Sequence, residues 1–251
     1  MKRKEWTRDE LIVAFNLYCR TAFGRIHNRN PEIISLAKAI GRSPSALSWK
    51  LANFSRLDPA VIERNLSGAT HGSKLDQEIW KEFNSDWNKL VYESEKLRAK
   101  FLGANLTEEL NEEFPVGRAR QASVMVRVNQ GFFRSMILAA YSECCCITGL
   151  AIPELLCASH IVPWSVDIKN RTNPRNGLCL NAIHDKAFDR GFITVDSNLK
   201  ILISPVLKNA KDSAVNDLLC RYEGVKINLP RQFQPNKSFL EYHNDVIFRR
   251  K

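Results

Sequence analysis

Over the first sixty positions the apolar residues recur at helical spacing. Leu11, Ala14, Phe15, Leu17 and Tyr18 fall on one helix face, and Thr7 with Glu10 three residues on predicts a capping box at the start. A second stripe (Ile33, Ile34, Leu36, Ala37, Ile40) follows Asn30-Pro31, which puts proline at a first helical position, and Gly41 stops it. Ser43-Pro44-Ser45 restarts a third helix running to about residue 54. Turns are expected at Asp58-Pro59, Ser67-Gly68 and His71-Gly72-Ser73. A long helix over 75–100 then carries Ile79, Phe83, Trp87, Leu90 and Leu97 near one face, and its mixed charges predict a solvent-exposed connector. Pro115-Val116-Gly117 breaks the chain. Past it a helix over 132–141 places Phe133, Ile137 and Leu138 inward, and the pattern then shortens into strand-like apolar runs. These are 155–158, 161–164 and, after a polar loop over 167–176, 177–180. A short helix over 182–188 and a hairpin from 191–195 and 200–203 complete the pattern. The fold class is α+β, divided as 1–56, a connector over 57–115, and 116–251 with its core at 124–204.

Composition narrows this. A content of 44% hydrophobic and 25% charged residues among 251 is that of a globular chain with a real core. No apolar run reaches the ~18 residues a membrane span needs. The charged N-terminus has no apolar region behind it, and the seven cysteines are odd in number, so a reducing cytoplasm is expected rather than a disulfide framework. The net charge of +10 is uneven: +6 over 1–60, −4 over 61–115 and +8 over 116–251. Two basic blocks around an acidic middle point to polyanion-facing modules.

Two short helices joined by Gly41-Arg42-Ser43-Pro44 have the form of a helix-turn-helix. The segment resembles helix-turn-helix and Myb-like DNA-binding modules, including the Trp6-Thr7 opening. The resemblance implies that the third helix contacts DNA, with Arg42, Ser45, Ser48, Trp49, Lys50 and Asn53 as candidates.

In the second half His160 ends an apolar run, Asn176 opens the next, and His184 lies on the helix after it. Around them stand Cys146-Ile147-Thr148-Gly149, Ala158-Ser159-His160-Ile161-Val162-Pro163-Trp164, Asn173-Pro174-Arg175-Asn176-Gly177-Leu178-Cys179-Leu180 and Ile183-His184-Asp185-Lys186-Ala187-Phe188-Asp189-Arg190-Gly191. Over about 124–204 the chain resembles the HNH endonucleases, whose ββα arrangement holds a divalent ion between a strand and a helix. The resemblance implies that His160 is the general base, that Asn176 orients it or braces the loop, and that His184 is a metal ligand. A base that makes hydroxide near neutral pH suits an imidazole, and a cation absorbs charge on the leaving oxygen. Ser159 stands where many relatives have a carboxylate or a second histidine, and Phe188 where some have another histidine. Asp185 or Asp189 then adds a ligand, the sequence not choosing between them. So sparse and oxygen-rich a set suits Mg²⁺, with Mn²⁺ or Zn²⁺ as alternatives.

No Cys-x-x-Cys pair is present, so buried thiols rather than a structural zinc are expected. Arginine suits phosphate; Arg118, Arg120, Arg127 and Arg134 before the core and Arg171 and Arg175 in its loop are candidate DNA contacts. The expected function is metal-dependent cleavage of double-stranded DNA to 5′-phosphate and 3′-hydroxyl ends, in restriction or phage defence, with a homodimer if the site is palindromic. The alternatives are a DNA-binding regulator with an inactive HNH domain and an RNA- or structure-directed nuclease.

Overall fold

A computed structural model describes residues 5–64, 72–103, 118–210 and 212–250, the last without residue 251 and with the backbone alone over 118–124. Helix α1 (Arg8–Arg20) starts at the Thr7–Glu10 capping box and is buried from Glu10 through Cys19. A helix apolar on nearly every side belongs in a core. Its polar members are paired there: Asn16 Nδ2 donates to Ser94 Oγ at 2.7 Å, and Glu10 receives Arg42. On α1 pack α3 (Pro44–Ser55), α5 (Lys74–Ser85) and α6 (Trp87–Leu102); α2 (Pro31–Ala39) lies against α3 and α6, and a single turn α4 (Pro59–Ile62) follows α3.

The expected 75–100 helix is two helices. Asp86 ends α5 and caps α6, its Oδ1 accepting from Lys89 N at 3.0 Å. Nor is this region an exposed connector. Ile79, Trp80, Phe83, Trp87, Leu90 and Val91 are buried with α1 in one core, where Phe15 lies 5.5 Å from Trp80 and 6.1 Å from Trp87. Apart from Asp76, which is buried, the mixed charges that suggested exposure keep to the outer face, among them an Arg8–Glu82–Lys89 chain of ion pairs.

Helix α7 (Arg118–Ala140) is longer than its apolar residues predicted and joins two cores. Phe132 and Met136 enter the helical core, while Phe133, Ile137 and Ala140 enter the C-terminal one. Phe233 returns from near the chain's end into the helical core against Trp80 and Trp87. Its N–H donates to the buried Asp58, whose carboxyl burial pushes up.

The C-terminal half carries an antiparallel hairpin of β1 (Leu156–His160) and β2 (Gly177–Asn181), with His160 opposite Gly177. A Cβ at Gly177 would collide with the side chains of Ile137 and Phe133, so glycine there lets α7 lie against the hairpin. Asn181 then caps α8 (Ala182–Asp189) directly, its Oδ1 accepting from Ile183 N and His184 N. A second hairpin, β3 (Ile193–Val195) with β4 (Ile201–Ile203), is followed by short helices α9 (Pro205–Lys208), α10 (Ser213–Leu218) and α11 (Lys237–Tyr242) and by a π turn at His243–Ile247. The architecture is α+β, as the sequence predicted. Among the described residues no helix is long and apolar enough to cross a membrane.

Candidate active site

A cleft of about 800 Å³ opens between α7, β1 and α8. His160 reaches it because it ends β1, where the chain leaves the hairpin for the 161–176 loop. Its ring stacks on Phe133 at 3.8 Å and meets Trp164 edge-on at 5.5 Å. Nε2 lies 2.9 Å from the Arg171 carbonyl oxygen. A carbonyl only accepts, so Nε2 carries the proton and Nδ1 keeps the lone pair. Burial holds the imidazole below its ordinary pKa, the carbonyl opposing that shift in part, so the ring is neutral and basic at pH 7.

Asn176 is fully buried and makes no bond to His160. Its Oδ1 accepts from Val162 N at 2.8 Å, and its Nδ2 donates to the carbonyls of Val162 at 3.1 Å and Asn170 at 3.3 Å. Of the two roles the sequence left open, this geometry is that of the brace: one amide ties both ends of the loop that carries the Arg171 carbonyl.

His184 lies on the first turn of α8, its buried Nε2 without a hydrogen-bond partner. It does not line the cleft. Nδ1 is 3.0 Å from the Asn181 Oδ1, the ring meets Tyr222 edge-on at 5.3 Å, and burial lowers its pKa. The cap at Asn181 sets the phase of α8, and that phase turns residue 184 inward. Asp185 and Asp189, one turn apart, line the cleft instead, with Lys186 and Arg190 beside them. Burial, and next the nearby Asp185, raise the Asp189 carboxyl.

Ser159 also lines the cleft, and its buried Oγ has no hydrogen-bond partner. An orphaned hydroxyl and two carboxylates that repel one another, all lining one cleft, are oxygen donors of the kind a hard cation takes. Among the described residues no three His, Cys, Asp or Glu side chains gather into a cluster that could hold a metal ion by themselves.

Cys157, read in the sequence as a buried thiol, lines the cleft beside Asp185; burial and that carboxylate raise its pKa. No cysteine among the described residues is in a disulfide. The alternation of β1 and the one-turn spacing of Asp185 and Asp189 were the available signals; the part played by the Arg171 carbonyl had none.

The basic candidates divide. Arg134 lines the cleft while its guanidinium donates to the carbonyls of Leu156 at 2.7 Å and Pro153 at 3.1 Å. Arg171 lies over the Trp164 ring at 5.0 Å and donates to the Trp164 carbonyl. Arg127 is exposed on α7, and the side chains of Arg118 and Arg120 lie outside the described residues. Arg175 faces away, close enough to Asp58 to draw its carboxyl down. Two of the expected DNA contacts, Arg42 and Lys50, are in ion pairs within the fold. Arg42 is half-buried, pairs with Glu10 at 2.7 Å and lies over Trp6 at 4.5 Å; Lys50 is buried against Asp76 at 2.9 Å. A charge in the core needs a partner, and these two have theirs. On the same helix Ser45 remains exposed, accepting from Asn28, and Trp49 is 64% exposed.

No curated protein matches the chain. Residues 145–196, which span the hairpin, the loop, α8 and β3, match the HNH_2 family, described as HNH endonuclease. That segment of the chain is an HNH endonuclease domain, and the protein is a nuclease, a phosphodiester hydrolase of the kind that works with a divalent metal ion.

Proposed function

We propose that the protein cuts double-stranded DNA in the cleft between β1 and α8, with His160 as general base. The observation that carries this reading is the His160 imidazole on the cleft wall, its Nε2 proton given to the Arg171 carbonyl and its Nδ1 lone pair left to act. Nδ1 takes a proton from water as the water oxygen attacks phosphorus. The bond from phosphorus to the 3′ oxygen breaks, and the products are a 5′-phosphate and, after protonation, a 3′-hydroxyl. Ser159, Asp185 and Asp189 would hold a divalent ion, Mg²⁺ by their oxygen chemistry, which when bound supplies neutralisation of phosphate charge and stabilisation of the leaving oxygen. Asn176 keeps the loop closed so that the base holds one tautomer and one orientation.

Arg134, Lys186 and Arg190, which line the cleft, supply a positive path for the phosphate backbone. The exposed Ser45–Trp49 face of α3 is the part of the helix-turn-helix free to meet DNA. A restriction or phage-defence role in the cytoplasm, with a homodimer on a palindromic site, extends this reading.

The test is incubation of the purified protein with plasmid DNA and Mg²⁺ or Mn²⁺, beside a His160→Ala control, with the new ends read by ligation and end-labelling. Metal-dependent, His160-dependent cutting to ligatable ends is expected. Intact plasmid with cut RNA or branched DNA would move the substrate class, and no cutting of any of them would make the domain a binding module.

A further inference from the structure

The loop that supplies the Arg171 carbonyl is held from outside the HNH domain. Asn88, on the first turn of α6, belongs to the helical core's layer; its neighbour Trp87 is buried in the aromatic cluster with Phe15 and Phe233. The Asn88 amide faces the loop with both ends used. Nδ2 donates to the Ile168 carbonyl at 3.2 Å and the Lys169 carbonyl at 3.4 Å, and Oδ1 accepts from the Thr172 hydroxyl at 2.7 Å. These contacts bracket Arg171. Thr172 is fully buried, so its hydroxyl depends on that bond, and the carbonyls of 168 and 169 are the outer edge of the turn.

Asn176 secures the inner side of the loop and Arg171, through the Trp164 carbonyl, closes it on itself. Asn88 is the third clamp, the one that ties it to a rigid helix. An imidazole needs its tautomer fixed by the partner of its other nitrogen. A loop able to drift would take the Arg171 carbonyl off Nε2 and let the proton settle on Nδ1, the atom needed as base.

We propose that Asn88 is a positioning residue for the nuclease centre, through which the N-terminal helical layer sets the base. This rests on the reading of His160 as that base. It makes the helical half part of the catalytic apparatus.

The test is steady-state cutting of plasmid DNA by the full-length chain carrying Asn88→Ala, Thr172→Val or Thr172→Ser, beside His160→Ala, with a thermal melt for each. Asn88→Ala and Thr172→Val are expected to lower kcat by about ten- to a hundredfold with KM unchanged, and Thr172→Ser, which keeps the hydroxyl, to restore the wild-type kcat. A merely structural contact would lower the melting temperature and leave kcat of the folded fraction alone. If Asn88→Ala misfolds, the Thr172 pair decides by the same split. Wild-type kcat, or a loss confined to KM, beside an inert His160→Ala overturns the Asn88 assignment alone. Full cutting by His160→Ala overturns the base reading and this assignment with it.

Discussion

The end of β1 and the first turn of α8 each carry a histidine at a position the sequence marks for chemistry, and both rings are desolvated to a pKa below the ordinary value. They are used in opposite ways. His160 stands where a strand ends and its loop departs, so its ring looks into the cleft with one nitrogen pinned and one left over. His184 stands just inside a helix whose phase is fixed by the Asn181 cap and by the pairing of Asn181 with Leu156. One residue on an α-helix is about 100° of rotation. The difference between a side chain facing the cleft and one facing Tyr222 is therefore one position, and the cleft receives Asp185 and Asp189. Residue type nominates a site; the phase of the element decides which neighbour occupies it.

The hardest test of that contrast is His160→Ala. Loss of a positioned general base costs about 10² to 10⁴ in rate. The side chain donates to no phosphate, so DNA affinity is expected to stay near wild type in a binding titration run at fixed salt with Ca²⁺ replacing Mg²⁺. Affinity falling in step with cleavage would make the ring a substrate contact instead.

A third imidazole sharpens the comparison from the side of stability. His243 is buried, accepts from the Thr194 hydroxyl at Nδ1 (2.8 Å) and donates from Nε2 to the Phe188 carbonyl, with its pKa pushed down to about 4 by burial. The unfolded chain takes up that proton first, at its ordinary pKa of 6.5. Stability from the neutral ring is therefore complete above pH 6.5 and lost as pH falls toward 4, by about 3 kcal/mol in all. Urea unfolding at pH 7, 5.5 and 4.5 measures the slope. His243→Gln should flatten it, and an unchanged slope would move the titrating group elsewhere.

For the carboxylates, Asp185→Asn and Asp189→Asn each remove one hard ligand and its charge. The Mg²⁺ concentration needed for half-maximal cutting should rise by about ten- to a hundredfold, with maximal rate partly recovered at high metal. Cutting by both variants at the wild-type Mg²⁺ requirement would return the ligand role to His184.

Much of this was legible in the chain. The Thr7–Glu10 capping box, the Gly41 turn, the ββα order and the candidacy of His160 and Asn176 all follow from local rules that structure leaves intact. What was not legible depends on partners distant in sequence. Lys50 sits on a helix face with the composition of a DNA reader and Arg42 in the turn before that helix, but Glu10, far along the chain, pairs with Arg42, and Asp76 draws Lys50 into the core. The mixed charges of 75–100 hid an aromatic stripe because α1, buried on every side, needed more cover than α2 and α3 could give. Arg171 was notable for its guanidinium, whereas it is its carbonyl that touches the base, and no side-chain pattern encodes that.

The smallest effect expected is at His184. If its ring serves packing, His184→Gln keeps a hydrogen-bonding group near Asn181 but loses the edge contact with Tyr222, and stability should fall by about 1–2 kcal/mol. Cutting per folded molecule should stay within a few-fold of wild type, and the Mg²⁺ requirement should not move. Denaturant melts and cleavage rates on the same preparations separate the two. A stable His184→Gln protein that needs far more metal would place this ring at the ion and would require α8 to turn by one residue relative to the cap that holds it. The side chain of Asn181 would then be the place to look, since its single oxygen takes the N–H groups of both 183 and 184 and so fixes the rotation on which the whole contrast depends.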